Sequence, residues 1–188
     1  MRKSTVTVLV LLCACVSDQG LPMRGVDDYV SALATLELDP NRFASYQEYY
    51  RSTETQMASW LRQFDDPEEL KAIFYACQAE WLAGLDVPGD DWDRIDPYGE
   101  SKNLVLYRLA EIRTPEAAEV LVDLYCDPNA QWDAAPGEMA CDAVLQCGRR
   151  ALQFLREKQD PEGDIAHLIQ LIEAGVTTAF GPSAAPPD

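Results

Sequence analysis

One dipeptide recurs along this chain at near-regular intervals. Asp-Pro occurs at Asp39-Pro40, Asp66-Pro67, Asp96-Pro97, Asp127-Pro128 and Asp160-Pro161, with spacings of 27, 30, 31 and 33 residues. With 18 aspartates and 12 prolines in 188 residues, chance supplies about one such pair. Aspartate accepts from the open N–H groups of a helix start, and proline fits the first helical position. The recurrence therefore predicts helices laid out with an internal period of roughly 30 residues. Asp66-Pro67-Glu68-Glu69 is the fullest case, with a cap, a proline and two carboxylates in the positive first turn. Thr114-Pro115-Glu116 repeats the same grammar.

Between these starts the apolar residues step by three or four, as one face of a helix requires. Val26, Tyr29, Val30 and Leu33 form a first short run. Phe43, Tyr46, Tyr50, Thr53, Met57, Trp60 and Phe64 follow, then Leu70, Ile73, Phe74, Cys77, Trp81 and Leu85. Leu104, Leu109 and Ile112 pair with Ala118, Leu121, Leu124 and Tyr125. Val144, Leu145, Leu152 and Leu155 precede a last run of Ile165, Leu168, Ile169 and Ile172. No segment alternates as a strand would. The expected class is all-α.

The stretches YRLAEIRTPEAAEVLVDL (107–124) and DAVLQCGRRALQFLRE (142–157) overlay loosely as helix, short turn, helix. This pattern resembles HEAT-type repeats. The resemblance implies antiparallel helix pairs stacked as a short solenoid, the alternative being an irregular helical bundle. It covers residues 100–158 well and 26–85 poorly. The all-helical domain is read over residues 26–174, with a loop at 86–100 and a tail at 175–188.

The N-terminus begins Met-Arg-Lys-Ser and continues TVTVLVLLCA. Two positive charges before a short apolar run are the layout of a secretory signal peptide. The run falls short of the about 20 apolar residues a membrane-crossing helix needs. Leu12-Cys13-Ala14-Cys15 resembles a bacterial lipobox. The resemblance implies removal of residues 1–14, acylation of Cys15, and a lipidated tether over residues 15–25. Cys13 is an uncommon occupant of its slot, and ordinary cleavage after Ser17 is the runner-up. Val16, rather than aspartate, follows the lipid cysteine. In lipoproteins of diderm bacteria that implies the outer membrane, facing the periplasm. Several acyl chains would make the anchor durable.

The chain carries a formal charge of -17, with 15 basic against 32 acidic residues. That balance argues against nucleic acid, whose phosphates need basic residues opposite them. It also argues against electrostatic docking on anionic lipid. It favours a solvated surface and a basic partner.

Six cysteines are present, of which Cys77, Cys126, Cys141 and Cys147 fall in the body. In an oxidising envelope an even number invites disulfides. A helical hairpin brings Cys126 and Cys141 together, and a bridge there adds on the order of 3 kcal/mol. Cys77–Cys147 is the leftover pair, and four buried thiols are the plain alternative. Zinc on Cys126, Cys141, Cys147 and His167 lacks the close cysteine pairs of structural zinc. His167 reads as a partly buried helix residue. Asp90, Asp91, Asp93 and Asp96 form an acidic loop without the order of a calcium-binding EF-hand loop. In that loop Trp92 and Tyr98 are candidate partner contacts, aromatics being frequent anchors.

No nucleophile motif, phosphate-binding loop or His-Glu-x-x-His occurs. No catalytic residue, metal or cofactor is expected. The reading is a membrane-tethered envelope lipoprotein whose helical array binds another protein. An envelope hydrolase with paired carboxylates, or a cation-binding or structural envelope protein, are the alternatives.

Overall fold

The computed structural model describes residues 22–36, 42–84, 96–131, 138–158 and 163–178. Among them the chain is all-α, with eight α-helices and one 3-10 turn. The helices are α1 (Val26–Ala34), α2 (Tyr46–Leu61), α3 (Pro67–Gly84) and α4 (Pro97–Ile112). They continue as α5 (Pro115–Cys126), α6 (Glu138–Cys147), α7 (Leu152–Glu157) and α8 (Asp164–Glu173). The 3-10 turn, Gly148–Arg150, joins α6 to α7.

The helix starts follow the expected chemistry. Asp66 Oδ1 accepts from Glu68 N–H at 2.9 Å as α3 begins at Pro67. Asp96 caps α4, its Oδ1 accepting from Tyr98 N–H at 3.0 Å. Thr114 caps α5, its Oγ accepting from Ala117 N–H at 3.2 Å. At α2, Ser45 accepts from Glu48 N–H, and the Glu48 carboxylate accepts from Ala44 N–H one residue before the cap. This is a close variant of the capping box.

The dipeptide rule fails at Asp127-Pro128. Here Asp127 ends α5 rather than beginning a helix. Its Oδ1 still accepts from the amide two residues on, Asn129 N–H, at 2.8 Å. The same local bond thus serves a turn in one place and a helix start in two others. Asp39-Pro40 and Asp160-Pro161 lie outside the described residues. The dipeptide alone therefore does not set a structural period.

Packing centres on α4, which lies against α1, α2, α3, α5 and α6. Residues Ser101, Lys102, Asn103, Leu104, Val105 and Leu106 are buried in unbroken succession. A helix covered all round cannot show a single apolar stripe. Around it the core gathers Leu33, Met57, Phe74, Leu121, Val144, Leu155 and Leu168. The remaining principal contacts join helices near in order: α1 with α3, α5 with α6, α3 with α5 and α7 with α8. Such contacts serve a stacked array and a compact bundle equally, so they establish the all-helical class and not a superhelical course.

Two expectations shift in register. On α2 the core face carries Tyr49, Thr53, Met57 and Trp60, while Tyr46 is 52% exposed. On α8, His167 is exposed and not partly buried. Ile165, Leu168 and Ile172 point inward at steps of three and four, and His167 falls between them on the outer face.

The turn from α4 to α5 is tight. Arg113 caps α4 with φ 61° and ψ 23°, in the left-handed region. Glycine is the ordinary residue there, because a side chain costs about 1–2 kcal/mol in that conformation. Arg113→Gly is therefore expected to raise stability by about 1 kcal/mol, read as a higher midpoint in urea unfolding with an unchanged slope.

Candidate functional site

The densest polar arrangement lies where α3 and α4 meet the irregular segment after α5. Three side chains hold that segment. Tyr75 on α3 donates a short hydrogen bond to Asp127 Oδ2. Gln78, also on α3, donates from Nε2 to Asn129 O at 3.0 Å and accepts from Gln131 N–H at 2.7 Å. Lys102 on α4 donates from Nζ to Gln131 O at 2.7 Å. Its ammonium also sits 3.6 Å from the centroid of the Trp81 ring. Lys102 is only 1% exposed. A lysine so deep needs such partners, because an unpaired ammonium in an apolar interior is strongly unfavourable.

The charge of Lys102 reaches Cys77, on the facing side of α3, and favours its thiolate. Burial outweighs it and pushes the Cys77 thiol up to about 12. Cys77 is thus an inert core thiol rather than a nucleophile. Burial also raises the Cys147 thiol, against the pull of Arg150. Cys141 is raised by burial, with Asp142 and Asp164 adding to it.

The sequence candidates fall in different places. Cys15 and Trp92 lie outside the described residues, as do Asp90, Asp91 and Asp93. Tyr98 is half-buried and packs against the core at the first turn of α4. Burial raises its phenol, with Glu80, Cys77 and Asp96 contributing. Cys126 is the last residue of α5 and Cys141 lies in the first half of α6, with α5 packed on α6. Both are half-buried, and no disulfide joins any of the four body cysteines in this structure. No group of three or more metal-ligating side chains gathers among the described residues.

The sequence reading passed over the buried polar residues of α4. Ser101 accepts from Tyr29 O–H at 3.0 Å and donates to Met57 Sδ at 3.5 Å. Asp142 on α6, itself buried, accepts from Gln146 Nε2 at 2.8 Å and from Tyr107 O–H at 3.4 Å. The only available signal was the polar triplet Ser101-Lys102-Asn103 in mid-helix, which by itself looks like a solvated face.

The surface depressions are open. One runs along α2 beside Ser45, Glu48, Arg51 and Thr55; another lies beside Arg24, Asp28 and Ser31 at α1. Two more share Glu111, one at the α4–α5 turn and a small one between α2 and α4. Each of the four holds a single carboxylate. No protein-family model, curated protein or solved structure matches this chain.

Two measurements check this arrangement. In the reduced, folded chain, Cys126 and Cys141 are expected to take up a thiol label while Cys77 and Cys147 react only in denaturant. Peptide mass mapping reads the difference. If oxidation then blocks labelling of Cys126 and Cys141 together, reversibly, the two form a bridge. The second concerns pH. Burial, with help from Asp127, raises the Tyr75 phenol from 10.0 to about 12. A raised phenol stabilises the fold fully below its unfolded value and loses that contribution as pH rises through the folded one. Asp127 is held below 3.8, chiefly by Tyr75 and then by the Asn129 amide. Its contribution is complete above that value and fades as pH falls through the lower folded one. Tyr75→Phe is expected to lose less stability than the parent on going from pH 10.0 to about 12. Urea midpoints across that window test it.

Proposed function

We propose that this chain is a lipid-tethered protein of a bacterial envelope whose helical body binds another protein. The observation that carries the reading is Leu12-Cys13-Ala14-Cys15, placed directly behind a charged and then apolar N-terminal run. Three features of the body support it. Met23 N–H donates to Gln63 Oε1 at 2.9 Å, so the chain joins the body within seven or eight residues of Cys15. A stretch of that length spans at most about 25–30 Å, which keeps the body close to the membrane that holds the lipid. Among the described residues, each of the four depressions noted above presents one carboxylate, where a two-acid hydrolase needs two on one substrate. The net charge of -17 suits a partner with a basic contact surface.

Intact mass of the protein extracted from membranes of a diderm host tests the tether. The expected mature chain begins at Cys15 and carries acyl chains, and Cys15→Ala abolishes both. An unmodified chain beginning at Asp18 would overturn the reading and make the protein a secreted one. Crosslinking in intact envelopes tests the second half of the proposal. A crosslinked protein that is lost when the body surface is charge-reversed supports binding; recovery of only the uncrosslinked chain argues against it.

A further inference from the structure

We draw no further inference here: the strongest candidate, the cluster of carboxylates and phenols where α4 meets α2 and α6, with Tyr50 on Glu100 at 2.8 Å, Tyr107 on Asp142 at 3.4 Å and Glu54 acting on both phenols, is an acidic cluster with no second feature of the structure to show what it would hold.

Discussion

Lys102 brings a positive charge into the most enclosed helix of the fold, and the surrounding contacts follow from having to accommodate it. Its Nζ needs acceptors and an electron-rich face, and finds Gln131 O at 2.7 Å and the Trp81 ring at 3.6 Å. One partner lies on α3 and the other in the segment after α5, so a single ammonium ties two other parts of the chain to α4. Removing a charged partner inside a protein is far more disruptive than never having placed it there. With α3 and the 127–131 segment fixed, α1, α2, α5 and α6 dock on the remaining sides of α4.

The outer charges work differently. Asp123 lies 2.5 Å from Lys158 and 4.0 Å from Lys71, and Arg156 reaches Glu173 across α7 and α8. Such pairs near water contribute little each. Arg108 is the exception by position, with only 16% of its side chain exposed. It donates to Phe64 O, Asp65 and Glu111 at once, which bolts the turn after α2 to α4. Most of the excess acid stays on the surface, where repulsion is weakened by solvent and salt.

Helix positions could be read from the sequence because apolar spacing and caps are local. The starts of α3, α4 and α5 follow directly from Asp66, Asp96 and Thr114. What failed was long-range. Asp127 makes the same bond to the amide two residues on as Asp66 and Asp96 do. Whether a helix follows is decided by Gln78 and Lys102, which capture the next residues from distant parts of the chain. The buried Ser101-Lys102-Asn103 triplet was equally hidden, since its burial depends on five neighbouring helices. Of the candidate site residues, Tyr98, Cys126 and Cys141 are placed by the fold, while Cys15 and Trp92 lie outside the described residues. The left-handed turn between α4 and α5 left one local trace. A clue lay in Ile112-Arg113-Thr114-Pro115, where a helix must reverse just before a Thr-Pro start and no glycine is present.

The segment from Asp127 to Gln131 has a further consequence. Its polar backbone is satisfied by side chains of α3 and α4 and by two local bonds to Asp127, from Asn129 N–H to Oδ1 at 2.8 Å and from Ala130 N–H to the backbone O at 3.0 Å. The order it shows is borrowed. An independent helix keeps its own ladder when a neighbour slips away, but this stretch keeps only its local bonds to Asp127. Its amide at Gln131 therefore acts as a gauge of the α3–α4 junction, exchanging with solvent when that junction parts and shielded while it stays closed.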